Sequence, residues 1–592
     1  MKTTKLPAGR RAAFVALGLF GVGCGSPSAS DADQTSEAII NGTPSFPSSW
    51  PYEVAVIDRV ELILGDVVQY CAGTLIHPQW LLTAAHCMLQ ANTVTVIAGR
   101  KDVMDRNHGE EINSDFNGST DPGFIHENYN DITNDSDLGL VRLASRAHQN
   151  AVELATPTDL ATAGSSPTAT VIGWGHTESG TSSNVQLQVD VPVIPSADTC
   201  NETTLWGTDT DTRDVTQNQI CIGSLDGSKG ACVGDSGGPA LYRSSGVWKQ
   251  LGIVSYGDSD CQAPGYPAVF TRVTNFNQWV YSHLPTSEGV GSFYVSDGSG
   301  NLSSQRTATT WSSTWSNIIA GEFGGSASFT DLAFYDQMAG RLRFYSTDGA
   351  GRISLIRDNT SVRKTWHTIV PGEFGGDSHT DLMFYDPIAG EIEFYSTDGA
   401  GRLSLLKKHT GVRSTWQIII PGNFGGSAST DLLFYDPTRG VTETYRTDGA
   451  GGMTLLRRHT GLKKTWQIIV PGQFAGDATT DLLFYDPSGS TAIVQFYAVS
   501  SSGNFTALAG QSGFNTQIEA IVPGGFNGDG FTDLVYYDRD HRSYTIQSTD
   551  GAGNQTFLRS GNDFAANIVV GGQFGGSSHT DLLFYSRWNY GL

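Results

Sequence analysis

The rhythm of apolar positions changes twice along this 592-residue chain. Residues 12–23 form one short apolar run after a start carrying Lys2, Lys5, Arg10 and Arg11. From Ile39 to about Pro285, short apolar runs alternate with polar positions, as in Leu138-Gly139-Leu140-Val141-Arg142-Leu143, and turn glycines divide them. A period of two predicts strands with one face buried. This region closes on Asn275–Leu284, whose apolar residues gather on one side and predict a final helix. Beyond about Thr286 the composition shifts abruptly, cysteines cease, and the sequence repeats.

Within the repeats, Thr-Asp-Leu and two further apolar or aromatic positions recur at Asp331, Asp381, Asp431, Asp481, Asp533 and Asp581, with spacings of 50, 50, 50, 52 and 48. Between them lie Phe-Tyr-Ser-Thr-Asp-Gly-like segments starting at Phe293, Phe344, Phe394, Thr444 and Phe496, with a weaker one near Tyr544. Tryptophans return at Trp315, Trp366, Trp416 and Trp466. About four short strands per unit of about fifty residues is the pattern of a propeller blade. The array opens on the Phe293 element and ends on the Asp581 element, so the two ends would complete one blade and hide the edge strands. Six units of each type predict six blades over 286–592, with the recurring aromatics as core. The units resemble FG-GAP/VCBS-type repeats, many of which bind calcium in an Asp-rich loop. Phe526-Asn527-Gly528-Asp529-Gly530-Phe531-Thr532-Asp533 comes nearest to such a loop, while Gly324-Gly325-Ser326 offers few ligands. Calcium takes six to eight oxygens, so calcium in the propeller is a candidate that the ligand count goes against; no other cofactor or metal is expected.

A charged start, a short apolar core and small residues make 1–23 an export signal, too short to span a membrane as a mature helix. The signal has two candidate ends. Gly21-Val22-Gly23-Cys24 resembles a lipoprotein box and would make Cys24 a lipidated N-terminus, although Gly21 replaces the usual leucine; otherwise cleavage falls a few residues later. Residues 24–38 read as a tether or propeptide. Either end implies an extracellular or cell-envelope location. The other six cysteines, Cys71, Cys87, Cys200, Cys221, Cys232 and Cys261, form an even set in an exported chain, which suggests disulfides. The formal net charge of −23 argues against nucleic acid or an anionic membrane as the main partner.

The chemistry lies before the repeats. Thr83-Ala84-Ala85-His86-Cys87, Ser136-Asp137-Leu138-Gly139-Leu140 and Gly234-Asp235-Ser236-Gly237-Gly238-Pro239 place a histidine, an aspartate and a serine in order. A serine hydroxyl is a poor nucleophile until a base takes its proton, so such a trio points to acyl transfer. In these motifs 39–285 resembles a trypsin/chymotrypsin-type serine peptidase. The resemblance implies an all-β, two-barrel domain that cleaves peptide bonds. Ser236 would be the nucleophile, His86 the base and then acid, and Asp137 the group orienting His86. Asp131 and Asp135 compete for that last role, and Asp137 is preferred because it directly precedes the alternating run. The N–H groups of Gly234 and Ser236 would form the oxyanion hole, each donor contributing about 3–4 kcal/mol.

Ile39-Ile40-Asn41-Gly42 resembles the family's new N-terminus after proenzyme cleavage, with the freed amine of Ile39 pairing with Asp235. The resemblance also implies the disulfides Cys71–Cys87, Cys200–Cys221 and Cys232–Cys261. At the pocket floor, where trypsins carry an aspartate, stands Gly230, followed by Ala231; Gly257 and Ala268 match wall positions, and Ser255-Tyr256-Gly257 would pair with substrate backbone. With no fixed charge at the floor, apolar residues are expected before the cut bond, although Asp258 and Asp260 at the rim could attract basic ones. Ala38 itself fits such a pocket, so self-processing is expected. Arg100 stands where calcium-binding trypsins have a glutamate, so that metal site is not carried over. The propeller would bind a glycan, a cell surface or a protein partner. The competing reading makes the molecule an adhesin or lectin whose protease serves processing only.

Overall fold

The computed structural model describes residues 39–590, apart from 46–48, 59–68, 91–93, 115–122, 165, 207–213, 326–327 and 427. The export signal, Cys24, the tether, Ala38 and Ser326 lie outside the described residues. Among the described residues no helix is long and apolar enough to cross a membrane.

The molecule is all-β: a chymotrypsin-like pair of sheets followed by a six-bladed propeller. The first sheet has seven strands, with Glu53–Asp58, Gln69–His77, Trp80–Thr83 and Gly139–Arg142 at its centre. Val54, Leu75, Leu82 and Leu140 fill its interior. The second sheet has eight strands, among them Thr168–Gly173, Leu187–Ile194, Val247–Tyr256 and Ala268–Arg272, around Val171, Val191, Ile220 and Phe270. One expectation needs correcting. Gly139–Arg142 alternates in sequence, yet Gly139, Leu140 and Val141 are all buried. Its second face is covered too, because the Met88 side chain of helix Ala85–Gln90 lies against Gly139. The closing helix is shorter than its apolar pattern, Asn277–His283, after a 3-10 turn at Val273–Asn275.

Each blade is a four-stranded antiparallel sheet; one comprises Asn317–Gly321, Asp331–Asp336, Arg341–Thr347 and Ile353–Thr360. The ring closes as its phase predicts: Gly289–Ser296 pairs with Asp581–Ser586, from Val290 opposite Ser586 to Tyr294 opposite Leu582. The first and last repeat elements thus share one blade and leave no open seam. Trp315, Trp366, Trp416 and Trp466 are buried between blades. The six recurring aspartates are fully buried and act as acceptors for backbone N–H groups. One carboxylate oxygen of Asp331 accepts from Phe323, Gly324 and Gly325 at 2.7–3.0 Å, and the other five aspartates accept from the corresponding phenylalanines, Phe374, Phe424, Phe474, Phe526 and Phe574. Each therefore ties its turn to the next strand.

The two parts are locked together by buried polar groups and by the chain end. Arg539 of the propeller pairs with Glu153 of the first part at 3.3 Å and with Glu519 at 2.8 Å. Trp588 belongs to the core of the first sheet, edge-on to His77 at 4.6 Å, and the Tyr590 hydroxyl accepts from the Ala151 N–H at 3.2 Å. The two parts together line a partly open cavity of about 460 Å³ whose walls include Asp159, Lys249, His367, Gln417, Gln467 and Asn567. Asp159 and Lys249 pair there at 2.8 Å.

Candidate active site

Helix Ala85–Gln90 presents His86 at the seam of the two sheets. Its Nδ1–H donates to Asp137 Oδ2 at 2.7 Å, and its backbone N–H donates to Oδ1 at 3.0 Å. Asp137 is fully buried, and its backbone carbonyl is held by the Thr271 hydroxyl at 2.7 Å. The competing aspartates are placed elsewhere. Asp135 accepts from the Ser136 hydroxyl at 3.0 Å and the Asn218 amide at 3.2 Å, and Asp131 is exposed.

One participant escaped sequence reasoning. Ser255, expected only as part of the substrate-pairing strand, donates its hydroxyl to Asp137 Oδ2 at 2.7 Å. The carboxylate thus has a second donor on the oxygen that faces His86, which fixes its orientation. No local pattern marks this serine; the contact spans 118 positions of sequence.

The nucleophile loop is pinned to the first sheet. The Ala72 N–H donates to the Ser236 carbonyl at 2.7 Å, and the disulfide Cys71–Cys87 joins the neighbouring strand to the residue after His86. Gly234 has φ +98°, and Gly237 has φ +82°. A β-carbon on Gly237 would come within 2.4 Å of the Ala72 carbonyl, so glycine is required behind the serine. Cys200–Cys221 and Cys232–Cys261 are also formed, as the resemblance implied.

Beside the loop, Asp235 is buried and accepts from the Gly175 N–H at 2.8 Å and the Cys232 N–H at 2.9 Å. Burial pushes its carboxyl up to about 7, and the two N–H bonds only partly oppose this. Ile39 and Ile40 are buried nearby, and the Ile40 N–H donates to the Gly230 carbonyl at 3.1 Å. Ile39 has φ 59°, a left-handed conformation that costs a β-branched residue about 1–3 kcal/mol.

Gly230, Ala231, Gly257 and Ala268 line one small cavity with Ser224, Tyr266 and Asp258. Lys229 borders the same cavity and is exposed. Tyr256 packs edge-on against Trp206 at 5.4 Å. Arg100 explains its own substitution. Its buried guanidinium donates to the Val103 and His108 carbonyls at 3.4 and 2.8 Å and to Glu111 at 2.8 Å, so a side-chain cation fills the loop. Among the described residues the one grouping with metal-ligand spacing, Cys71, His86 and Cys87, consists of a disulfide and the histidine already described.

A histidine held by a buried aspartate at the seam of two sheets, next to a pinned serine loop, defines a serine protease of chymotrypsin-like fold. The family described as Trypsin matches residues 39–280. Brachyurin of Leptuca pugilator is 36% identical over 245 residues, covering 41% of this chain and 96% of its own length. The hepatocyte growth factor activator serine protease of Mus musculus is 32% identical over 258 residues, 42% of this chain and 36% of that protein. The ovochymase of Halocynthia roretzi is 29% identical over 257 residues, 42% of this chain and 15% of that protein. The chain belongs to the trypsin family, and is a hydrolase that acts on proteins or peptides.

Proposed function

We propose that the chain is an exported serine endopeptidase working through Ser236, His86 and Asp137, with the propeller as its docking part. The observation that carries this reading is the 2.7 Å contact from His86 to Asp137, with Ser255 as second donor. His86 takes the Ser236 proton as the hydroxyl attacks the scissile carbonyl, then returns it to the leaving amine. The N–H groups of Gly234 and Ser236 receive the oxyanion. The uncharged Gly230 floor favours apolar residues before the cut bond.

Cleavage of the Ala38–Ile39 bond is the switch. It removes the peptide torsion that strains Ile39 and creates an ammonium for Asp235, whose buried carboxyl is raised and accepts from the Gly175 and Cys232 N–H groups. The tether and Cys24 would hold the enzyme at the cell envelope or release it. The experiment is labelling of matured protein with an active-site phosphonate, followed by a peptide-library cleavage profile. Labelling lost in Ser236→Ala, with apolar residues preferred, supports the proposal. Absence of labelling, or strict cleavage after Lys or Arg, overturns it.

A further inference from the structure

Charge is unevenly spread over the molecule. The three segments 341–364, 391–414 and 441–464, the outer hairpins of consecutive blades, hold 15 Lys and Arg against 7 Asp and Glu. They are net +8 in a chain of net −23, which leaves −31 for the rest.

The excess has a repeated position. In each hairpin the pairing slips by one residue, as between Phe344 opposite Arg357 and Tyr345 opposite Leu355. The same bulge occurs at Phe394/Tyr395 and Thr444/Tyr445. It turns Arg357, Lys407 and Arg457 toward the next blade, where each β-carbon lies against a turn glycine: Gly401, Gly451 and Gly503. A β-carbon on any of these glycines would come within 2.9 Å of that cation's β-carbon. Arg306 sits against Gly351 in the same way. The neighbouring blades are latched beside these cations by Asn359 to the Gly401 carbonyl at 3.2 Å, and by His409 and His459 to the Gly451 and Gly503 carbonyls at 2.8 Å. The grooves are therefore fixed.

Lys407, Arg457 and Arg306 are exposed, and with Arg357 they form no ion pair among the described residues. Their neighbours Lys408 and Arg458 are paired, with Glu391 and Glu443 at 2.7 Å. Arg357 Nε is buried without a hydrogen-bond partner. Leu355, Leu405 and Leu455 stand exposed beside the groove cations. In a protein so acidic, unpaired cations recurring in four successive blades, at Arg306, Arg357, Lys407 and Arg457, match a linear polymer with regularly spaced negative charge.

From this charge pattern we infer that the grooves between these blades bind a polyanionic polysaccharide bearing sulfate or uronate groups. This rests on the reading of the propeller as the docking part. Several grooves engage one chain, so weak sites add through effective concentration. The exposed apolar groups in these hairpins are leucines, which pack against sugar C–H faces but give no stacking platform for bases, so nucleic acid fits less well.

The test uses the full chain as Ser236→Ala, measured by biolayer interferometry against immobilised heparin (sulfated) and polygalacturonate (uronate). Dextran, duplex DNA and phosphatidylserine vesicles serve as comparisons. The expected result is binding to one or both polyanionic glycans that weakens as salt rises. The combined variant Arg357→Ser, Lys407→Ser and Arg457→Ser should lose about tenfold or more in affinity with its melting temperature kept, and Arg106→Ser, an exposed arginine of the first part, should lose none. No glycan binding, binding undiminished in the triple variant, or equal binding to DNA or vesicles overturns the inference. Binding to dextran or other neutral glycans alone would leave the docking reading standing and sink this one.

Discussion

Gly230→Asp asks whether the pocket floor sets specificity. A β-carbon built on Gly230 meets no heavy atom within 4 Å, and its backbone is not left-handed, so the aspartate enters without strain. The Gly230 carbonyl that accepts from Ile40 is unchanged by the substitution. The new carboxylate stands in the cavity bounded by Ser224, Gly257, Tyr266 and Ala268. A hydrogen bond between it and a bound guanidinium contributes about 1.5–3 kcal/mol. That corresponds to a gain of roughly 10–100-fold in kcat/KM on substrates with arginine before the cut bond. An apolar side chain in the same pocket strands the carboxylate and loses about 1–3 kcal/mol. The assay is kcat/KM on matched peptides with Leu, Met, Lys or Arg at that position, using enzyme titrated for active sites. An arginine-to-leucine ratio that moves less than about threefold, well under the gain expected from a charged hydrogen bond, would refute the placement of Gly230 at the floor.

Ser255→Ala removes a donor from the buried Asp137, and kcat should fall about tenfold with KM little changed, as steady-state kinetics would show. In the uncut Ser236→Ala precursor, the raised carboxyl of Asp235 contributes stability that is full below about pH 4 and lost as pH climbs through about 7. Urea melts should therefore give a less stable precursor at pH 8.5 than at pH 5, by at most about 3 kcal/mol from this group, and Asp235→Asn should flatten the difference. Trp588→Ala opens the core of the first sheet from the far end of the chain and should cost about 3–5 kcal/mol, read as a lowered thermal midpoint. Arg100→Glu leaves the Val103 and His108 carbonyls and Glu111 facing a new carboxylate; its melting temperature should drop in chelator and recover in millimolar calcium, and no recovery would count against the guanidinium as a built-in cation.

Much of the architecture was legible because it is local or periodic. The fifty-residue recurrence fixed the blade, and its phase fixed which elements close the ring, since a strand without a partner would leave an open edge. The alternating run after Asp137 picked that aspartate out from Asp131 and Asp135, and the structure places it against His86. Periodicity was less informative where a strand has both faces covered, as at Gly139–Arg142, because burial by Met88 comes from a separate element. It also overstated the closing helix, whose apolar side continues into a 3-10 turn.

Amino-acid order alone determined the β-rich class, the two-part division, the blade count and the three motifs, because strand period, turn glycines and catalytic spacing are written within a few residues of one another. Folding in three dimensions decided what each of those residues touches. The hydroxyl of Ser255 reaches Asp137, Trp588 plugs a barrel whose core begins at Trp50, and Arg357, Lys407 and Arg457 lie over glycines of the next blade. Such contacts depend on which finished surfaces meet, and a one-dimensional pattern of apolar and polar positions carries no term for that.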